Sequence, residues 1–464
     1  MPSLLKNISY TFLSNVIALI VSVLVAFFVP KALGVENYGY FQLYLFYINY
    51  TGFLHFGWAD GVFLRYGGAY YESLDRDLFK SQFGAFCVLE FLFSAVFCAC
   101  ALQFAPSENK CLVFLLIGVS ILFSLPKTFL QYVLQGTNRI REYSTLIIIE
   151  RALFGFCALM VVLVGVDNFA LVIGADLVGK FVALCYALYQ CRDIISVKFR
   201  LTKSTISEIW ENISVGSKLM FANIASLLII GIVRWSIEQE WDVSTFGKIS
   251  LTLTVSNLVM VFIRSVSMVL LPTLRRIDES RYSDIYYELK NGLMLFVFGI
   301  LLIFYPLNAF LIYWLPDYAD CLRYMAILFP LCFYEGKLSM LVETYLKTLR
   351  MENKIFLSNF VTLALSLLLT WLTVFVLENL TYAVFAILTI FAFKSSLGEC
   401  FLSRRMPLSL IKGLIVESAM IACFVCSAWF VGGVNGLCLY LAVYALFVAF
   451  NKKSLLKILK RIKK

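Results

Sequence analysis

The sequence is poor in charged residues and in histidine. Asp, Glu, Lys and Arg make up only 15% of its 464 residues, and a single histidine is present, whereas a typical soluble domain has about 25% charged residues. The thirteen cysteines lie mostly in apolar runs, and the Cys423/Cys426 pair has no second pair to complete a metal site. The composition therefore argues against a soluble domain, and we expect neither a metal nor a cofactor.

Long apolar runs take the place of the missing charges. Hydrophobic residues account for 61% of the chain. Apolar runs of roughly 20 residues recur along its whole length, and each can cross about 30 Å of hydrocarbon as a helix. The sequence predicts an all-α polytopic membrane protein.

We predict fourteen transmembrane helices, separated by segments too short to form a soluble domain. Their bounds are 9–29, 39–59, 82–105, 112–135, 143–165, 168–190, 214–234, 247–271, 289–312, 321–346, 355–377, 381–398, 409–431 and 435–451.

The distribution of Lys and Arg predicts the orientation of these helices. With the N-terminus in the cytoplasm, 27 of the 39 cations fall in cytoplasmic segments and 3 in segments on the opposite side. Lys and Arg are disfavoured in short translocated loops, so this asymmetry places both termini in the cytoplasm. The net charge of +10 is thus spread over many short loops, which argues against nucleic-acid binding.

Several local features recur in the same order in the two halves of the chain. Asn7-Ile8-Ser9 is matched by Asn212-Ile213-Ser214, Tyr38-Gly39 by Phe246-Gly247, and "VLQGTNRIREY" by "YLKTLRMENKI". Asn and Ser before an apolar run are also common helix N-caps, so a chance match is the alternative. The ordered repeats favour two parallel six-helix lobes, 1–192 and 193–405, followed by two extra helices and a basic cytoplasmic tail in 406–464.

Three segments resemble the O-antigen-type polysaccharide flippases of the multidrug/oligosaccharidyl-lipid/polysaccharide (MOP) exporter superfamily: "LLKNIS", "LGVENYGYFQLY" and "LQGTNRIREYS". The resemblance implies an ion-coupled flippase of the bacterial inner membrane. Its cargo would be an undecaprenyl-pyrophosphate-linked oligosaccharide for lipopolysaccharide or another surface polysaccharide. The cargo would move from the cytoplasmic to the periplasmic leaflet by alternating access. Membrane lipid and a glycan polymerase of the same pathway are the further partners expected.

Two related functions remain alternatives. Fourteen helices are typical of lipid II flippases in this superfamily. A drug/cation antiporter would also suit the fold, although such antiporters usually carry an acidic residue in the first span, and "SYTFLSNVIALIVSVLVAFFV" has none. A membrane-embedded glycan polymerase needs a catalytic constellation that the short outer loops do not supply, so we expect a transporter rather than an enzyme.

Cations inside the apolar runs are the candidate ligands for a pyrophosphate. A charge at bilayer depth costs at least about 2.5–3.5 kcal/mol, and such residues usually face a cavity. Arg264 is the strongest candidate because no acidic residue lies within a dozen positions of it. The proposed cationic lining comprises Arg264, Lys218, Lys337, Lys180 and Arg151.

Some of these cations also have structural interpretations. Asp176 can pair with Lys180 one helical turn away, and Glu335 or Glu343 can neutralise Lys337. Three others lie near the predicted span ends, where they can snorkel to the interface: Lys248, Arg323 and Lys394.

The second predicted span carries ten aromatic residues in "YGYFQLYLFYINYTGFLHFGW". Such rings either stack on sugars or pack against other helices. His55 and Asp60 lie at its end, and with Asp176 they form a candidate polar or ion-coupling group.

Overall fold

The computed structural model describes residues 2–195, 202–260, 263, 267, 270, 274 and 277–451, with side chains from residue 9 onward. Within these ranges the regular structure is helical, and no strand is present. Twelve helical stretches of the described chain are long and apolar enough to cross a membrane. The prediction of an all-α polytopic membrane protein is confirmed.

These twelve stretches are compatible with fourteen spans. The first stretch, Ser9–His55, is 47 residues long and is interrupted at Gly34, whose φ of +67° lies outside the helical region. It therefore contains two helical segments, as the sequence predicts. Val243–Asn257 begins another predicted span, most of whose remainder lies outside the described residues.

The chain forms two compact units, Met1–Ile224 and Ala225–Lys464. Unit 1 contains the helices α1 Pro2–Thr51, α2 Trp58–Arg65, α3 Arg76–Phe104, α4 Glu108–Gly136, α5 Ile140–Val164, α6 Phe169–Gln190 and the first part of α7 Lys203–Glu240, with 3₁₀ turns at Gly52–His55, Tyr71–Ser73 and Arg192–Ile194. In this unit α1 packs on α5, α5 on α6, and α3 on α4.

Unit 2 contains the rest of α7 and, where the structure describes it, α8 Val243–Asn257, α9 Tyr282–Ile300, α10 Phe304–Trp314, α11 Ala319–Leu322, α12 Met325–Leu328, α13 Leu331–Lys337, α14 Glu343–Thr348, α15 Glu352–Thr370, α16 Leu380–Ser403, α17 Leu410–Cys426 and α18 Gly433–Phe450. Single π-helical turns follow α13, α15 and α17, at Leu338–Val342, Trp371–Val376 and Ser427–Val431. Helix α16 is central, since it packs against α13, α15 and α17.

Short polar side chains begin several of these helices. Asp75, Ser107, Asn168, Asp242 and Asn379 each accept a hydrogen bond from a backbone amide in the first turn of the helix that follows. Such caps satisfy amides that have no partner within the helix.

Asn212 is not such a cap. It lies inside α7, which begins at Lys203, and its side chain is fully buried. The two compact units divide inside this helix, at 224/225, whereas the sequence predicts lobes that meet at 192/193. The first part of α7 belongs to unit 1 because its polar residues contact α2 and α3. The assignment of lobes by internal repeat remains a prediction.

Candidate functional site

Unit 1 has a buried polar centre where α1, α4 and α6 meet. The ammonium of Lys180 lies 2.5 Å from an Asp176 oxygen and donates to the hydroxyls of Tyr44 and Ser120, each at 3.1 Å. Tyr44 in turn donates to Asp176 at 2.6 Å. The i,i+4 partner foreseen for Lys180 is therefore present, and the centre carries no net formal charge.

A second buried pair lies between α4 and α5. Lys127 contacts Glu150 at 2.5 Å, and both side chains are largely buried. Arg151, the next residue along α5, is exposed. Among the described residues of unit 1, the two buried lysines thus each have a carboxylate, and the predicted ligand Arg151 is exposed.

The end of α2 is bound to the start of α7 by several charge-assisted hydrogen bonds. One terminal nitrogen of Arg65 donates to Glu208 at 2.5 Å and to Asn212 at 2.8 Å. The other donates to Glu211 at 2.7 Å, and the Tyr66 hydroxyl donates to Glu208 at 2.6 Å.

The protonation of these donors follows from their surroundings. Burial raises the pKa of the Tyr66 phenol, and Glu208 raises it further, through its hydrogen bond and through its charge. Burial lowers the pKa of Arg65, but Glu208 outweighs that effect, so the net shift is upward. Both groups therefore keep their protons at neutral pH.

Asn212 extends this network into the interior of unit 1. Its side-chain amide donates to Gln82 on α3 at 2.8 Å, and the Trp58 indole donates to the same Gln82 oxygen at 3.2 Å. Nearby, Nε2 of His55 lies 3.8 Å from an Asp60 oxygen. The structure thus brings His55 and Asp60 together, while Asp176 belongs to the separate centre around Lys180.

Three glycines allow α2 and α7 to approach each other closely. A Cβ added at Gly61 would run into the backbone of Asn212, and one added at Gly57 or Gly216 would run into the backbone of the facing helix. Small residues at such crossings are typical of helix packing in membranes.

Unit 2 contains a polar cavity of about 310 Å³. Two cations, Arg234 and Lys394, line it together with two carboxylates, Glu335 and Glu343. Lys394 is 5% exposed, and its ammonium donates to Ser226 at 3.3 Å. The described lining therefore offers groups for an anion and groups that accept hydrogen bonds.

Lys337 belongs to a different group, which we call the four-charge cluster: Lys290, Lys337, Glu399 and Glu417. Each lysine contacts each glutamate, and the four distances are 2.6–2.7 Å. All four side chains are at most 7% exposed, and the Tyr286 hydroxyl donates to Glu399 at 2.6 Å. The neighbours predicted for Lys337, Glu335 and Glu343, instead line the polar cavity.

Of the five predicted cations, Arg151, Lys180 and Lys218 lie in unit 1 and Lys337 lies in unit 2. Lys218 and Arg151 are exposed, while Lys180 and Lys337 are paired inside different units. Arg264 lies outside the described residues. A joint role for these five residues in binding pyrophosphate remains a prediction.

Sequence reasoning missed both cations of the polar cavity. The predicted spans 214–234 and 381–398 place Arg234 and Lys394 at or near a span end. Helices α7 and α16 continue to Glu240 and Ser403, so both cations lie inside a helix and not at its end. Glutamates in or beside apolar runs, such as Glu399 and Glu417, are the sequence signal that indicates buried carboxylates.

Comparison with known proteins shows that this chain shares its fold with solved transporter structures. Neither a family model nor a curated protein sequence matches the chain. The lipid II flippase MurJ in an inward closed conformation matches with a TM-score of 0.68 and 13% identity, over 97% of this chain and 99% of that one.

Two transporters of the MATE type show the same architecture. An inward-facing multidrug resistance MATE family transporter of the MOP superfamily gives a TM-score of 0.61 and 10% identity, over 88% of this chain and 95% of that one. A eukaryotic MATE transporter gives a TM-score of 0.50 and 14% identity, over 90% of this chain and 98% of that one. The fold is therefore that of the MOP transporters.

Proposed function

We propose that this chain is a flippase that moves an undecaprenyl-pyrophosphate-linked saccharide from the cytoplasmic to the periplasmic leaflet of a bacterial inner membrane. The observation that carries the proposal is the likeness to the lipid II flippase over 97% of the chain, against 88% for the MATE transporter. The difference is about 42 residues of the 464.

The chemistry of the polar cavity supports a cargo that carries both phosphate and sugar. Arginine binds phosphate through a fork of N–H donors, and lysine binds it as a point charge. Arg234 and Lys394 supply one group of each kind, while the carboxylates of Glu335 and Glu343 accept hydrogen bonds from sugar hydroxyls. Arg264, which lies between Arg234 and Lys394 in the sequence, is a further candidate cation. The saccharide is of the O-antigen type or another surface glycan, and the polymerase of that glycan is the expected partner.

Reconstitution into liposomes tests the proposal. The probe is undecaprenyl-pyrophosphoryl-N-acetylglucosamine with a fluorescent sugar, and a membrane-impermeant quencher reports the leaflet that holds it. The wild-type protein should move the probe faster than empty liposomes, and Lys394→Met should slow it. The control is Lys248→Met, since Lys248 pairs with the exposed Asp320 and does not line the cavity. Equal rates in protein-containing and empty liposomes would refute the proposal.

Arg264 can be tested in the same assay. Arg264→Ala removes the charge and should abolish movement of the probe, whereas Arg264→Lys keeps the charge without the fork and should retain part of it. Rates are compared at equal amounts of reconstituted protein. Normal movement by Arg264→Ala would exclude this residue from the site.

A drug/cation antiporter is the second candidate. Glu335 and Glu343 in the cavity lining favour it, because carboxylates attract organic cations. Efflux of ethidium from cells that overproduce the protein separates the two functions. Efflux that Glu335→Gln abolishes, with no movement of the lipid-linked probe, would establish the antiporter.

A further inference from the structure

Glu90 is a fully buried carboxyl group near the middle of α3. Its side chain has 0% exposure, and both oxygens are covered and make no hydrogen bond among the described residues. It is the only charged residue in the sequence between Lys80 and Glu108. The mechanism proposed above does not use it.

The position of Glu90 on α3 directs it at α4. Phe86 and Ser94 lie one turn before and one turn after it, on the same face of the helix. Phe86 packs on Phe129 of α4 with ring centroids 5.0 Å apart, and Ser94 donates to the carbonyl of Gly118 at 2.7 Å. Glu90 therefore faces the stretch of α4 between 118 and 129.

No described cation is available to Glu90 from α4. The only ionisable residue in that stretch is Lys127, which is already paired with Glu150. On α3 itself the nearest titratable group is Cys87.

The two 3₁₀ turns that pack on α3 also supply no partner for Glu90. Gly52–His55 contributes His55, whose ring contacts Phe86 at 6.3 Å between centroids and whose Nε2 faces Asp60. Arg192–Ile194 contributes Arg192, whose guanidinium lies over the Tyr189 ring, and Asp193, which accepts from Tyr71.

Burial without a partner determines the form of this group. An ionised carboxylate in apolar surroundings, with neither hydrogen bonds nor a counter-charge, is strongly disfavoured, so the neutral acid is the form that fits this conformation. The carboxylate requires a conformation in which water reaches α3. A ligand that binds one of two conformations more tightly shifts the equilibrium toward it.

We propose that Glu90 is a proton-binding site that couples proton movement to the conformational cycle of the transporter. In a conformation that hydrates α3, the carboxylate takes a proton from a hydronium ion and leaves water. The neutral acid then stabilises the conformation described here, and the proton returns to water when α3 is hydrated again. The coupling part of this inference rests on the proposed transport function, whereas the proton site itself does not.

Infrared spectroscopy tests the proton site without any cargo. A difference spectrum of wild-type protein minus Glu90→Gln at neutral pH should show the C=O stretch of one carboxylic acid, with a shift in D₂O. The same spectrum with Cys87→Ala in place of Glu90→Gln should lack this band. Absence of the band from the wild-type minus Glu90→Gln spectrum would overturn the proposal, whatever the transport assay shows.

Transport with and without a pH gradient tests the coupling. The fluorescent undecaprenyl-pyrophosphoryl probe should move faster in wild-type liposomes when a pH gradient is imposed. Glu90→Gln should lose this stimulation and keep the movement seen without a gradient, and Cys87→Ala should behave as wild type. If the pH gradient stimulates probe movement by Glu90→Gln as much as by the wild-type protein, Glu90 does not couple proton movement to transport, and this part of the proposal is overturned.

A second variant, Glu90→Leu, tests whether misfolding explains a loss of stimulation. Since the side chain makes no hydrogen bond, Glu90→Leu should melt at or above the wild-type temperature and should also lose the stimulation. A large fall in melting temperature for both variants would contradict the absence of partners on which the inference rests. If wild-type protein does not move the probe, the proposed function fails, while the infrared band still decides the proton site.

Discussion

Removing one charge from the four-charge cluster should destabilise unit 2 strongly. Glu417→Gln keeps the shape of the side chain but leaves Lys290 and Lys337 with only Glu399 as a counter-charge. Glu417 contacts both lysines at 2.6 Å and is 1% exposed, so water does not replace the lost carboxylate charge.

The expected magnitude follows from that burial. Removing one partner of a buried ion pair costs about 3–5 kcal/mol, because a charge remains buried without compensation. For a unit of the size of Ala225–Lys464, each kcal/mol lowers the melting temperature by about 2–4 °C. Glu417→Gln should therefore melt roughly 6–20 °C below the wild-type protein.

The assay is thermal unfolding of detergent-purified protein, followed by intrinsic tryptophan fluorescence. Asp320→Asn is the matched control, because the Lys248–Asp320 pair is also short, at 2.8 Å, but its carboxylate is 68% exposed. Such exposed pairs contribute about 0–1 kcal/mol. The control should therefore melt within a few degrees of the wild-type protein.

A double variant separates loss of charge balance from loss of packing. Glu417→Gln combined with Lys290→Met leaves the Lys337–Glu399 pair, which is 2.7 Å long, and restores neutrality. It should recover much of the lost melting temperature, so the two substitutions should be far from additive. A shift for Glu417→Gln no larger than that for Asp320→Asn would contradict a strong contribution of this buried charge. A double variant as unstable as the sum of its parts would contradict the coupling between the four charges.

Two further predictions concern helix packing and topology. Gly61→Leu should destabilise the protein by about 1–3 kcal/mol, because the new side chain meets the Asn212 backbone. Gly174→Leu is the control, because a Cβ at Gly174 meets nothing within 4 Å. Equal shifts in melting temperature for the two variants would contradict the contact at Gly61. Reporter fusions after Glu108 should be periplasmic and those after Arg141 cytoplasmic, as the Lys and Arg distribution predicts, and reversal of both would overturn the orientation.

The helical membrane fold follows from the sequence because hydrocarbon thickness sets the length of an apolar run. Helix ends are less predictable, because polar turns extend a helix when neighbouring residues satisfy them. Helix α7 begins at Lys203, eleven residues before the predicted span. Its first turns are polar and amphipathic, and they are held by Arg65 and Gln82.

Polar contacts can be predicted from the sequence when the partners are local, and not when they are distant in the sequence. Asp176 lies one turn from Lys180, so their pairing could be predicted from spacing alone. The partners of Lys337 lie 62 and 80 residues away in the sequence, and no periodicity indicates them. The sequence places Arg234 and Lys394 near span ends, because apolar composition marks the hydrocarbon boundary and not the end of the helix.

The four-charge cluster also constrains the order of events during synthesis. Lys290 and Lys337 are made 109 and 62 residues before Glu399, and Glu417 follows later still. At about 5–20 residues per second, the ribosome needs roughly 5–20 s to go from Lys290 to Glu399. During that interval the nascent chain holds first one and then two cations whose counter-charges do not yet exist. Helices α9 and α13 must therefore stay beside the insertion machinery, or near the membrane surface, until α16 and α17 emerge. A ribosome that stops before Glu399 leaves a product with two uncompensated lysines, which membrane quality control is expected to remove.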